Sequence, residues 1–176
     1  PSTEVLDEED WKGFRQVMLS AIKNINAHRI NEGAVLEKDL IQRINNIREQ
    51  QLKVIELEPL RQQKIRDGLE KLLEENVGKD NFDSNRLEQE MIYYIEKIDI
   101  SEEQVRLKNH CDYFQSLLKE NGEAKGKKLS FILQEIGREI NTTGAKAYDA
   151  SIQKCVVLMK DELEKGNFIN AKTIAN

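Results

Sequence analysis

The chain is poor in the residues that punctuate and cross-link small folds. It has two cysteines, two prolines and nine glycines in 176 residues, and aromatics make up 6%. Cys111 and Cys155 stand alone, outside any metal-ligand spacing. That points to a reducing cytosol more than to a disulfide scaffold. Both are expected to be small buried apolar residues. No apolar run approaches membrane-spanning length, and there is no signal-peptide pattern. Gly-rich phosphate loops, nucleophile elbows and zinc spacings are also missing. Net positive charge is lacking: the formal charge is −5 and the pI about 5.3. A protein that coats nucleic acid without selectivity is thereby excluded, while a local basic patch is not. The chain begins at Pro1 without an initiator methionine, which reads as a processed chain or a piece of a longer one.

What is present is charge, at 34% of residues, arranged around helical spacings of apolar residues. From Asp7, a candidate N-cap, to about Asn31, the residues Trp11, Phe14, Val17, Met18, Ala21, Ile22 and Ile25 recur three and four apart. Asn31 to Gly33 either ends this helix or lies within it. From Ala34 to Glu56, Leu40, Ile44, Ile47, Gln51 and Val54 form a heptad-like seam with one polar member. Pro59 is expected to end that helix near Leu57 and open another to Glu75, making an antiparallel hairpin. Val77 to Asp83 reads as a loop, and Asp83 or Ser84 as the cap of a helix carrying Leu87, Met91, Tyr94, Ile95 and Ile98. Ser101-x-x-Gln104 has the form of a capping box opening a helix through Leu107, Phe114 and Leu117. A Gly-containing turn at Asn121–Lys125 precedes a helix to about Thr143. Gly144 is expected to interrupt, and a last helix carries Ile152, Val156, Met159 and Leu163, with Gly166 as its C-cap. The expected fold is all-α: an elongated bundle of six or seven helices with a long hairpin. Residues 1–76 would form the N-terminal helices and hairpin, and 77–176 a C-terminal helical domain.

The densest chemistry lies between Gly126 and Asp149. Leu129, Ile132, Leu133, Ile136 and Ile140 define an apolar sector, while Glu135, Arg138, Glu139 and Thr142 form a polar strip. Two carboxylates one turn apart repel unless a cation lies between them. The strip therefore calls for a metal ion or a guanidinium.

The run Gly126-Lys127-Lys128-Leu129, Phe131, Gln134-Glu135, Arg138-Glu139, Asn141-Thr142, Lys146 and Asp149-Ala150 resembles the C-terminal signature of the YicC/YloC family of bacterial stress-associated endoribonucleases. Asn85-Arg86-Leu87-Glu88-Gln89-Glu90, Ile98-Asp99-Ile100 and Glu102-Glu103 resemble a second block of that family, and Arg29, Glu32-Gly33 and Leu36 a third. The resemblance implies a cytoplasmic, metal-dependent enzyme that cleaves RNA. It also implies hexameric rings, and an N-terminal mixed α/β domain ahead of the helical region that this chain represents. Ser130 stands where the family usually has Asp and Gly137 where it has Asn. The tail from Gly166 departs from the family's continuing helix.

Each constellation has two readings. Glu135 and Glu139 would hold a divalent ion, Mn2+ or Mg2+, at a catalytic site, or be satisfied by Arg138, Arg86 or Lys146 in a structural network. Arg138 would grip a phosphate or pair with either glutamate. Lys125, Lys127 and Lys128, with Lys146 at the other end of the helix, would bind the RNA backbone or simply keep a turn solvated. Arg86 would reach the strip from a neighbouring helix or pair with Glu90. His28 and His110 read as helix-surface residues. The leading expectation is the helical part of an endoribonuclease, with Glu135, Arg138 and Glu139 catalytic. It would bind RNA, self-associate as a homohexamer and avoid membranes. The rival is a non-catalytic oligomerisation or RNA-adaptor module built on the Ala34–Glu75 hairpin.

Overall fold

A computed structural model describes residues 7–77, 84–120 and 125–175. Of the loop expected at 77–83, Val77 closes α1; residues 78–83, with the cap at Asp83, and 121–124 of the expected turn lie outside the described residues. All regular structure among those described is helical: α1 (Glu8–Val77), α2 (Ser84–Ile98), α3 (Ser101–Lys119), α4 (Gly126–Lys146) and α5 (Ala150–Ala175). The all-α class holds, but there are five described helices rather than six or seven, and the hairpin is absent. Residues 8–77 form one continuous helix of 70 residues, with Pro59 inside it.

Tertiary contacts on both sides of Pro59 explain this. A proline in a helix interior costs about 3 kcal/mol, mainly through a lost hydrogen bond and a steric clash. Before it, Val54 is fully buried and the Gln51 amide donates to the Gln104 carbonyl at 2.6 Å. Beyond it, the buried Arg61 guanidinium donates to the Ile98 carbonyl at 2.8 Å and pairs with Glu58 at 2.6 Å. The chain is held in helical register on each side, so the proline is tolerated.

The predicted seam is the core face of α1. Leu40, Ile44, Ile47, Gln51 and Val54 are all buried, but they pack within one chain's bundle rather than in a hairpin. The core joins them to Leu107, Phe114 and Leu117 of α3, to Leu129, Leu133, Ile136 and Ile140 of α4, and to Ile152, Val156 and Met159 of α5. Cross-helix bonds set the directions. Gln51 meets Gln104 while Arg48 meets Asp112, so α1 and α3 are antiparallel. Gln104 meets Thr143 and Lys146 meets Glu103, so α3 and α4 are antiparallel. Asn170 reaches Gly126 and Ser130, so α4 and α5 are too.

Three local expectations change. The Ser101 capping box does not form: Asp99 Oδ1 accepts the Ser101 N–H and hydroxyl instead, and Gln104 is buried with its amide on the Thr143 hydroxyl. Gly144 does not interrupt α4. It lies where a Cβ would come within 3.0 Å of Val156 Cγ1, so its role is close approach of α4 to α5. Gly166 is no C-cap; it is buried inside α5, which runs on to Ala175. Asp7 does cap α1, accepting the N–H groups of Glu9 and Asp10. The two cysteines are free and buried, and burial pushes the Cys111 thiol up to about 12.

Two parts stand outside the four-helix core. The first is the N-terminal arm of α1, where Trp11, Phe14, Val17, Met18, Ile22 and Ile25 keep their helical spacing but are exposed. The second is α2, anchored by buried Met91 and Ile98 while Tyr93 and Tyr94 face outward. No described helix is long and apolar enough to cross a membrane.

Candidate functional site

Glu139 and Glu135 do not share an open strip. Glu139 turns into the seam between α3 and α4 and is only 4% exposed. Glu135 lies at the rim, 3.3 Å from the largely exposed guanidinium of Arg138. The same α4 face that buries Ile136 and Ile140 carries Glu139 inward, because a residue one turn from the apolar sector follows it into the helix–helix seam.

The partner is a residue that sequence reasoning set aside. His110 of α3 comes in from the opposite wall. One ligand atom each from His110, Glu135 and Glu139 lie within 4.8 Å of one another. The signal was legible in α3: Glu103, Arg106 and His110 are spaced three and four apart and so share one face. Pairing that face with the α4 strip required knowing the helix register. His28 stays exposed beside Glu32.

Burial raises the Glu139 carboxyl above the ordinary carboxylate range. Arg106 and His110 oppose that rise, and the carboxylates of Glu103 and Glu135 add to it. Arg106 itself is bonded to Glu102. Glu103 is buried as well. Its Oε1 is 2.7 Å from Lys146 Nζ, while its Oε2 has no hydrogen-bonding partner among the described residues. Three carboxylates thus converge with one imidazole, with Lys146 on Glu103, Arg138 on Glu135 and Arg106 acting on Glu139. One nitrogen and two hard carboxylate oxygens within 4.8 Å of one another suit a divalent ion such as Mn2+, so the residues fit the metal that the sequence resemblance implies.

The expected cations divide between several places. Lys146 donates to the Asp99 carbonyl at 3.0 Å and pairs with Glu103. Lys125 donates to the Leu118 carbonyl at 3.1 Å, so it is tied to the end of α3. Lys127 and Lys128 are exposed at the start of α4. Arg86 lines a groove of about 970 Å3 between α2, the end of α1 and the end of α4, together with Glu90, Lys97 and Lys146. The glutamate pair is not part of that lining. The cation acting on Glu139 is Arg106 rather than Arg86.

A profile described as "Endoribonuclease YicC-like, C-terminal" matches residues 54–167, which spans the groove, the His110 wall and the glutamates. A protein of Clostridioides difficile named probable endoribonuclease YicC is 32% identical over 165 residues, covering 90% of this chain and 55% of that protein. One of Haemophilus influenzae with the same name is 33% identical over 169 residues, covering 94% of this chain and 58% of its own length. The chain therefore spans somewhat more than half the length of these relatives. It belongs to the YicC-like endoribonuclease family and carries that family's C-terminal region.

Proposed function

We propose that this chain carries the metal site of an RNA-cleaving endoribonuclease. The observation behind this is the meeting of His110 with Glu135 and Glu139 across the α3–α4 seam. Those three residues would hold a divalent ion. When bound, the ion would supply Lewis-acid stabilisation to a scissile phosphate and lower the pKa of a coordinated water.

The chain's own side chains supply the rest. Glu139, buried and flanked by two further carboxylates, is a poor stable anion without a cation beside it. Arg138 is exposed beside Glu135 and its planar fork is free to turn toward a phosphate oxygen. Lys127, Lys128 and Lys146 lie along α4 and would grip the RNA backbone. Lys125 contributes to the same end of α4 while holding the Leu118 carbonyl.

The test is cleavage of labelled RNA by this chain with Mn2+, with chelator, and with His110→Ala. Metal-dependent cleavage that falls by about a hundredfold or more in His110→Ala supports the site. Cleavage that is indifferent to both chelator and His110 refutes it.

A second reading has support of its own. The exposed apolar face of the N-terminal arm, from Trp11 to Ile25, is larger than a solvated helix normally leaves open. It suits self-association, the homohexamer implied by the resemblance included. A cytoplasmic location agrees with two unpaired thiols. Assembly and catalysis use different parts of the molecule, so the readings are compatible. Sedimentation of Ile22→Glu and Ile25→Glu variants tests assembly separately.

A further inference from the structure

Three of the chain's four tyrosines line one groove. Tyr93 and Tyr94 come from α2, and Tyr148 from the link between α4 and α5. Tyr93 is 62% exposed and Tyr148 80% exposed, so their rings are offered to solvent rather than used in the core. The floor is apolar, with Leu69 of α1 and Met91 of α2. The rim carries Arg86, Lys97 and Lys146 against the single carboxylate of Glu90. Even with Glu103 neutralising Lys146, the local balance is positive, opposite in sign to the chain's net −5.

We infer that this groove is a nucleobase-binding site for single-stranded RNA, with Tyr93, Tyr94 and Tyr148 stacking on unpaired bases and Arg86, Lys97 and Lys146 facing the adjoining phosphates. The inference rests on the endoribonuclease reading and adds to it the kind of RNA taken: unpaired, and held by its bases as well as its backbone. Aromatic rings beside a cationic track are the recurring means of binding single strands without reading sequence. Guanidinium and ammonium groups near such rings add further attraction. A protein helix is the less suitable occupant, because lysines are depleted from the centres of protein interfaces and two of them flank this groove.

The groove is also well placed for the glutamate site. Lys146 is seven residues from Glu139, two turns along the same face of α4, or about 10 Å. Lys146 Nζ spends two of its donors on Glu103 and the Asp99 carbonyl, which leaves the third for a phosphate. A strand whose bases sit among the tyrosines would run its backbone past Lys146 toward Glu139 and His110.

The experiment measures binding to the full 176-residue chain in chelator, so that cleavage does not intervene. The probes are a fluorescein-labelled oligouridylate and an abasic strand of the same length. The proteins are the parent, Tyr93→Ala, Tyr148→Ala and the matching Phe variants. Expected are weaker binding of the abasic strand, a loss of about tenfold for each Ala variant on oligouridylate, and recovery in the Phe variants. Equal binding of the two strands, or Ala variants that bind like the parent, overturns the groove while leaving the RNA reading intact. A parent that binds neither strand overturns both. A change of oligomer size in the Ala variants with unchanged RNA affinity makes the groove a protein interface and overturns the inference.

Discussion

Lys146 Nζ lies 2.7 Å from Glu103 Oε1, an ion pair that joins a residue lining the tyrosine groove to a carboxylate acting on the buried Glu139. Glu103 is 8% exposed at its side chain and Lys146 32%, so removing the cation leaves a carboxylate with little water to replace it. Lys146→Met is expected to cost roughly 1–3 kcal/mol. The double variant Lys146→Met with Glu103→Gln should regain most of that, as read by urea denaturation. A double variant as unstable as the single one would mean the pair is not the source of the loss.

Glu139→Gln is expected to have opposite effects on stability and on function. Burial and two neighbouring carboxylates make the charged form unfavourable, so an amide of the same shape should raise the melting temperature of chelated protein at neutral pH. It should abolish the further rise that Mn2+ gives the parent. Calorimetry with and without the ion checks both. A Gln variant that melts lower than the parent in chelator would contradict the electrostatic account. Strain kept at a site against the interest of the fold is a mark of function.

Glu162 provides the pH dependence. Burial alone would raise its carboxyl, but hydrogen bonds from Lys165 and Asn46 and the nearby Arg43 hold it below the ordinary value. A depressed folded pKa contributes stability that is present above the unfolded pKa and lost as pH falls through the folded one. Glu162→Gln should therefore be less stable than the parent by about 1–3 kcal/mol at neutral pH. The gap should begin to narrow as pH falls below the ordinary glutamate value, about 4.3, and close only once pH passes below the lowered folded value. Denaturation at neutral and acid pH reads the difference.

Two glycines of α4 should respond differently to the same change. A Cβ at Gly137 would come 3.0 Å from Leu163 Cδ2, and one at Gly144 would come equally close to Val156 Cγ1. The leucine methyl ends a flexible chain, while the valine methyl sits on a stiff, buried, β-branched one. Gly137→Ala should be neutral or stabilising by up to about 1 kcal/mol through helix propensity. Gly144→Ala should destabilise by about 1 kcal/mol or more, and adding Val156→Ala should lessen the strain. Thermal melts of the three variants decide it.

The α4 sector from Leu129 to Ile140, the α1 seam from Leu40 to Val54 and the α5 stripe from Ile152 to Met159 were legible because each repeats at helical spacing and each is buried. Pro59 was misleading because its local penalty is outweighed by contacts remote in sequence, Gln51 with Gln104 and Arg61 with Ile98. The same remoteness hid Gln104, whose amide goes to Thr143 rather than to a cap. For the site, Glu135 and Glu139 were readable from one helix, whereas His110 belongs to another and meets them only through register. The tyrosine groove was invisible for the same reason, since Tyr93 and Tyr148 are 55 positions apart.

The unbroken course of α1 ties distant regions together mechanically. Its 70 residues make a rod of about 100 Å. Trp11 and Phe14 stack near one tip, and Leu69 and Leu72 wall the groove near the other. One helix therefore carries both the stacked tryptophan and the leucines of the groove. Between those two ends the helix lacks one backbone amide proton, at Pro59, and the bonds of Gln51 and Arg61 on either side keep the span continuous.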